Sequence, residues 1–117
     1  MIYQFYISKH FKKQLKPYVK KYKGLVEDVI DHLKGFNKNH SIALGAHIYK
    51  IRLTSDKIEK GKSGSFRMII LLIEVDKIIA PIAFYSKSKN TSISKKEILK
   101  HVEKIKKELN SNESTSP

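Results

Sequence analysis

The chain has 117 residues, with 24 Lys and Arg against 11 Asp and Glu, and a formal net charge of +13. This length predicts one domain with one core, and the positive excess indicates a polyanionic partner such as nucleic acid. The absence of cysteine excludes disulfides, thiolate metal sites and a cysteine nucleophile, and no apolar run is long enough to cross a membrane. The N-terminus lacks the pattern of a signal peptide, so we predict a cytoplasmic protein.

The N-terminal part of the chain predicts a strand followed by a helix. Residues 1–7 alternate aromatic and aliphatic side chains, as half-buried strands do. Ser8 is a suitable N-cap for an amphipathic helix over 9–23, with Pro17 as the point at which that helix kinks or restarts.

A glycine separates this helix from the next one. Apolar residues recur at helical spacing from Leu25 to Phe36, after Gly24 has broken the first pattern. Two helices joined in this way predict an αα-hairpin, and residues 38–45 are predicted as a loop.

Three segments in the second half predict antiparallel strands. Residues 46–53 alternate, so that His47, Tyr49, Ile51 and Leu53 share one face while Ile48, Lys50 and Arg52 share the other. A polar connection over 54–65 leads to an apolar strand over 66–75. The last strand covers 78–85, where Pro81 predicts an edge position or a bulge.

The chain ends with a capped helix. Ser94 and Glu97 form a capping-box pattern, and the apolar spacing predicts a helix to about Leu109. Residues 1–109 therefore form the predicted domain, and 110–117 a disordered polar tail. The order β-α-α-β-β-β-α predicts an α+β fold with one twisted, mainly antiparallel sheet packed by helices.

The two arginines of the chain, Arg52 and Arg67, mark a candidate phosphate site. Every other cation is a lysine, and only arginine offers a planar fork that matches a phosphate. The strand parity allows Arg67 to lie beside Arg52, with Tyr85 and Lys87 at the same end of the sheet. Two structural arginines remain the alternative interpretation.

Other phosphate and metal chemistries do not match the sequence. Gly61-Lys62-Ser63 lacks the upstream glycine of a Walker motif, since position 56 is an aspartate. The five histidines are scattered and the acids do not cluster, so we predict no metal or other cofactor. RNA cleavage by the ribose 2′-OH remains, with a lysine of depressed pKa as a candidate base.

The element order and several sequence stretches resemble the RelE/ParE superfamily of toxins from toxin–antitoxin systems, with HigB-type RelE toxins as the nearest branch. The stretches are YKIRL at 49–53, GKSGSFR at 61–67 and FYSKS at 84–88, followed by the capped helix from Ser94. The resemblance extends almost to residue 109, and it implies the RelE-like α+β fold.

Matching the motifs implies a set of site residues. The resemblance implies that the catalytic residues are Lys50, Arg52, Arg67, Tyr85 and Lys87. Lys62 matches the basic loop of this branch, and Lys89, Lys12 and Lys16 are further candidates for RNA binding. RelE toxins carry more arginines and a tyrosine beyond the fourth strand, where this chain has lysines, so the identity of the general acid is open.

The resemblance also implies the activity and the partners. It implies a ribosome-dependent endoribonuclease that cuts mRNA in the A site without metal, contacts rRNA and needs no membrane. A cognate antitoxin, predicted to be of the helix-turn-helix type, would cover the basic face. The alternative is a non-catalytic basic protein, either a ParE-like gyrase inhibitor or an RNA-binding module.

Overall fold

The computed structural model describes residues 3–53, 66–87 and 92–115, with side chains of the last helix described as far as Ser111. The elements in chain order are β1 (Gln4–Phe5), α1 (Lys9–Lys21), α2 (Leu25–Lys34), a 3₁₀ turn (Lys38–His40), β2 (Ile42–Gly45), β3 (Ile48–Leu53), β4 (Phe66–Ile73), β5 (Ile78–Ser86) and α3 (Lys95–Thr115).

These strands form one five-stranded sheet in the order β1-β5-β4-β3-β2. β1 runs parallel to β5, and every other pair is antiparallel. The predicted α+β fold with a mainly antiparallel sheet is therefore confirmed. The connection 54–65, Lys62 and Lys89 lie outside the described residues.

Helices cover both faces of the sheet. Phe11 and Leu15 of α1, with Val29 of α2, pack in one cluster against the face of the sheet that carries Leu53 and Phe66. On the opposite face α3 packs in a second cluster, whose buried members are Ile48, Ile69, Leu71, Ala80, Ile82, Ala83, Tyr85, Ile98, Val102 and Ile105. Because side chains alternate along a strand, each strand contributes to both clusters.

Local sequence signals explain where the helices begin. The Ser8 hydroxyl accepts a hydrogen bond from Phe11 N at 3.0 Å, as expected of an N-cap. Gly24 has a φ of 80°, a left-handed conformation that lets the chain turn sharply from α1 into α2. The Ser94 hydroxyl accepts from Glu97 N at 3.1 Å and so caps α3. α1 continues through Pro17 to Lys21, so no restart occurs there.

The prediction of a loop over 38–45 is wrong, because this segment contains the 3₁₀ turn and β2. All four residues of β2 are exposed, so its sequence lacks the alternation that burial produces. β2 instead forms through pairing with β3, across a tight turn in which Ala46 and His47 both have positive φ. His47 therefore lies in the turn and is not part of the predicted strand face.

Pro81 marks a bulge in β5, which is one of the two alternatives that the sequence predicts. Ile69 pairs with Ala83 while Ile70 pairs with Pro81, so Ile82 is the extra residue. Gln14 of α1 covers the strand edge beside the bulge. Its amide donates to Ile82 O at 2.9 Å, and its side-chain oxygen accepts from Phe84 N at 3.2 Å.

Three element ends differ from the sequence prediction. The first strand is only Gln4–Phe5, and β4 ends at Ile73, before a turn in which Val75 is 93% exposed. α3 continues past Leu109 to Thr115, since the sequence offers no glycine or proline before residue 117 to stop it. The boundary between domain and tail stays a prediction.

Candidate nucleic-acid interface

Three predicted site residues form a row across three neighbouring strands. Arg52 of β3 pairs directly with Arg67 of β4, and Arg67 pairs directly with Tyr85 of β5. Neighbouring strands lie about 4.8 Å apart, and directly opposite residues share one face of a sheet. Tyr85 belongs to the cluster under α3, so the row lies on the α3 face. We refer to Arg52, Arg67 and Tyr85 as the cation–phenol row.

Exposure increases along this row from β5 to β3. Tyr85 is buried, Arg67 is half-buried and Arg52 is exposed. The Arg67 guanidinium also donates through Nη1 to the carbonyl of Phe66 at 3.1 Å, which restrains its orientation. An anion can therefore approach Arg67 from the Arg52 side, with the Tyr85 ring beneath it.

Burial makes the phenol of Tyr85 less acidic. Burial raises the pKa of its phenol above the ordinary 10.0, and the charge of Arg67 opposes this shift. The phenol consequently keeps its proton at neutral pH and can donate a hydrogen bond or a proton. The row thus offers two permanently charged guanidiniums and one phenol that can donate a hydrogen bond.

Two lysines extend the row on the same side of the sheet. Lys50 is half-buried and lies two residues before Arg52 on β3, opposite Ile69. Lys87 is exposed and follows β5 with the same parity as Tyr85. Four of the five residues predicted as catalytic therefore lie on one face of the sheet, and the fifth, Lys87, directly follows β5; their roles stay a prediction.

The two lysines predicted on α1 lie elsewhere. Lys12 and Lys16 border an apolar groove of about 420 Å³ between α1 and α2. These helices cover the face of the sheet opposite to the cation–phenol row. The structure does not bring Lys12 and Lys16 together with Arg67, because the sheet lies between them.

A polar cavity of about 160 Å³ adjoins the row at Tyr85. It is bounded by the edge of β5, by the segment before α3 and by the first turns of α3; its lining residues are Gln14, Ala83, Phe84, Tyr85, Ser92, Ile93, Glu97 and His101. Sequence reasoning missed Gln14 and His101 here and saw Glu97 only as a cap. No spacing signal connects Gln14 of α1 with Glu97 and His101 of α3, since the two helices are far apart in the sequence.

A histidine pair holds the α3 side of this cavity in place. His10 Nε2 lies 2.6 Å from His101 Nδ1, with the proton on one of the two nitrogens. Nearby, the Glu108 carboxylate accepts from Lys9 N at 2.6 Å, so α3 is joined to the first turn of α1 at a second point. Burial lowers the pKa of both imidazoles, so the neutral pair is favoured at pH 7.

Two further findings on the described residues concern metal binding and membrane-spanning helices. Within 3–53, 66–87 and 92–115, no group of three or more His, Asp or Glu side chains could hold a metal ion. In the same part of the chain, no helix combines the length and the apolar character needed to span a bilayer.

Comparison with protein families identifies the chain. A family described as "RelE toxin of RelE / RelB toxin-antitoxin system" matches residues 3–115. The chain belongs to the RelE toxin family. The resemblance inferred from the sequence stretches is thereby confirmed at the level of the superfamily, while the HigB-type branch stays a prediction.

A solved RelE structure shares the fold. It is the Escherichia coli toxin RelE in the free state, as a double arginine-to-alanine mutant, with 15% identity and a TM-score of 0.52. The match covers 89% of this chain and 97% of the E. coli chain. No protein with a curated description matches the sequence.

Proposed function

We propose that this RelE-family toxin is a ribosome-dependent endoribonuclease that cuts mRNA and so inhibits translation. The observation that supports this most is the alignment of Arg52, Arg67 and Tyr85 in direct register on one sheet face. Two guanidiniums and a protonated phenol suit a phosphate that gains negative charge during reaction. The membership in the RelE family supports a toxin role and a partner antitoxin.

The RNA supplies both the nucleophile and the leaving group, so no other reactant is consumed. The protein supplies a general base, a general acid and charge stabilisation. The ribose 2′-oxygen forms a bond to the neighbouring phosphorus and loses its proton to a base, for which Lys50 and Lys87 are the candidates on this face. The bond from phosphorus to the 5′-oxygen breaks, and that oxygen takes a proton. The products are a 2′,3′-cyclic phosphate and a 5′-hydroxyl.

Within this mechanism Arg67 stabilises the phosphorane. It is the central residue of the row, and its guanidinium is restrained by the Phe66 carbonyl. Preorganised charge of this kind stabilises a transition state more than it stabilises the substrate. Tyr85, kept protonated by burial, is the candidate donor to the leaving 5′-oxygen.

The partners follow from the same proposal. We propose that the toxin acts on mRNA in the ribosomal A site, contacts rRNA through its lysine surface, and works without a metal ion in the cytoplasm. A cognate antitoxin, of the helix-turn-helix type, neutralises it by covering the basic face. The net charge of +13 supports both a polyanionic substrate and an acidic inhibitory segment.

The test is cleavage on programmed ribosomes with chemically defined messages. We expect cuts in the A-site codon, products with 2′,3′-cyclic phosphate ends, and no cut where the attacking 2′-OH is replaced by hydrogen. Cleavage of the 2′-deoxy message would contradict the mechanism. Absence of any cleavage together with inhibition of DNA supercoiling would instead identify the ParE-like alternative.

A further inference from the structure

The polar cavity beside Tyr85 is continuous with the cation–phenol row. Tyr85 lines the cavity and also lies directly opposite Arg67, about one strand spacing of 4.8 Å away. A nucleotide whose phosphate contacts Arg67 therefore has its sugar and base within reach of the cavity mouth.

The size and the walls of this cavity suit one planar heterocycle. Its volume of about 160 Å³ is compatible with one planar base at its mouth. Tyr85 and His101 supply aromatic rings at its walls, and bases extruded from a strand stack on such rings.

The polar groups of the cavity come from the first turns of α3. The Glu97 carboxylate accepts a hydrogen bond from the Ser94 hydroxyl through Oε1 at 3.3 Å, which leaves Oε2 as the oxygen that can accept from a ligand. His101 uses Nδ1 for its contact with His10, which leaves Nε2 as the nitrogen for a ligand. Both side chains are thus oriented before any ligand arrives.

We propose that this cavity receives one base of the RNA next to the scissile phosphate and selects bases that carry an exocyclic amino group. The proposal rests on the proposed ribonuclease function. Glu97 accepts a hydrogen bond from the amino group of adenine, cytosine or guanine. Uracil has no amino group and carries a carbonyl oxygen where cytosine carries its amino group, and a carboxylate repels that oxygen.

The carboxylate also argues against a second phosphate in this cavity. Glu97 places a negative charge at the wall, and among the described residues that line the cavity none is an arginine or a lysine. The backbone phosphates therefore stay on the cation–phenol row, while the base turns towards α3. In this arrangement Glu97 and His101 select the cleavage site, Arg67 holds the phosphate, and Tyr85 contributes to both.

Glu97→Gln is the variant that tests the proposal, because glutamine also serves at this position of a capping box and preserves the start of α3. Its carboxamide both donates and accepts, so it tolerates uracil. Glu103→Gln is the matched control, since it makes the same charge change at an exposed position of α3 that does not line the cavity. Thermal melting verifies that both variants fold.

The first measurement is the map of cleavage positions on programmed ribosomes. We expect the wild type and Glu103→Gln to disfavour uracil at one fixed position next to the cut. Glu97→Gln should raise the share of uracil there by at least about threefold, the effect of losing one discriminating hydrogen bond. An unchanged base preference in folded, active Glu97→Gln would overturn the proposal and leave the ribonuclease function standing.

The second measurement needs no cleavage and so separates the two proposals. Nucleoside 3′- and 5′-monophosphates are titrated into the protein, and the NMR shifts of Tyr85 and His101 are followed. We expect AMP, CMP or GMP to bind more tightly than UMP in the wild type and equally in Glu97→Gln. Selective binding by a protein that cuts no RNA would support the base site while refuting the nuclease. Equal binding of all four by the wild type would overturn the base site.

Discussion

Arg52 and Arg67 lie directly opposite each other on neighbouring antiparallel strands, on the same face of the sheet. Like charges at directly opposite positions destabilise a strand pair. The fold uses lysine for all its other cations and places its two arginines in register. An anion between the two arginines would stabilise this arrangement. This relationship is the physical basis for the proposed phosphate site at the start of β4.

Inorganic phosphate should therefore stabilise the folded protein by binding at this pair. Because a ligand that binds only the folded state shifts unfolding by mass action, the melting temperature should rise with phosphate at constant ionic strength. The rise should shrink in Arg52→Ala and persist in Lys20→Ala, which removes an exposed cation of α1. Equal responses of both variants would show that phosphate acts through general screening.

The ionisation of Tyr85 should depend on Arg67. Burial raises the pKa of this phenol and the charge of Arg67 lowers it, so removing that charge should raise the pKa further. A pH titration that follows the ring carbon of Tyr85 by NMR should place its midpoint higher in Arg67→Ala than in the wild type. A midpoint that stays in place or falls in Arg67→Ala would refute the contact between the two side chains.

Binding to RNA should weaken steeply with salt, because lysines and arginines that neutralise phosphates release counterions. Lys87 lies on the side of the row, so Lys87→Ala should reduce the slope of log K against log salt by about one. Lys16→Ala should leave that slope unchanged, since α1 covers the opposite face of the sheet. A flat salt response of the wild type would contradict electrostatic binding.

The His10 and His101 pair should make stability depend on pH below neutrality. Burial is the main cause of both lowered pKa values. Lys104 lowers both further, Lys13 lowers that of His10 and the charge of His10 lowers that of His101, while Glu108 opposes the shift of His10 and Glu97 that of His101. In the unfolded chain each imidazole titrates near its ordinary pKa of about 6.5. Between that value and the lower folded pKa, the unfolded state binds more protons, so stability is full above about pH 7 and falls as the pH decreases.

Thermal melting from pH 8 to pH 5 measures this dependence. His101→Gln should flatten the loss of melting temperature below pH 7, because it removes one of the two groups that gain a proton on unfolding. His40→Gln is the control, since His40 is exposed in the 3₁₀ turn. The same pH profile in the wild type and His101→Gln would exclude the histidine pair as the cause.

The sequence predicted the cation–phenol row because that row depends on a simple period. Side chains alternate along strands, so Arg52 can lie beside Arg67 on one face if the two strands pair in the matching register. Register between the strands decides both which face each residue takes and whether the residues are neighbours. Pairing of Arg52 with Arg67 and of Arg67 with Tyr85 supplies that register.

Features without a local period were not predictable from the sequence. β2 is exposed along its whole length, so it forms through pairing with β3 and has no burial pattern of its own. The cavity beside Tyr85 depends on Gln14 and His101, which come from helices at opposite ends of the chain. Gln14 and His101 come together because α1 and α3 pack on the two faces of the sheet.

The most direct test of the phosphate site is the activity of Arg67→Ala. If Arg67 stabilises the phosphorane, its loss should cost about 2–4 kcal/mol, which corresponds to a decrease of about two to three powers of ten in cleavage rate. Arg67→Lys should recover only part of the rate, because the ammonium keeps the charge and loses the fork. Lys20→Ala is the control for general loss of charge, and thermal melting accompanies each variant.

The measurement is the rate at which wild type, Arg67→Ala and Arg67→Lys cleave the A-site codon on programmed ribosomes. We predict that folded Arg67→Ala cleaves at least about a hundredfold more slowly than the wild type. The rate of Arg67→Lys should lie between these two rates. A folded Arg67→Ala protein that cleaves at the wild-type rate would contradict the assignment of Arg67 to the scissile phosphate.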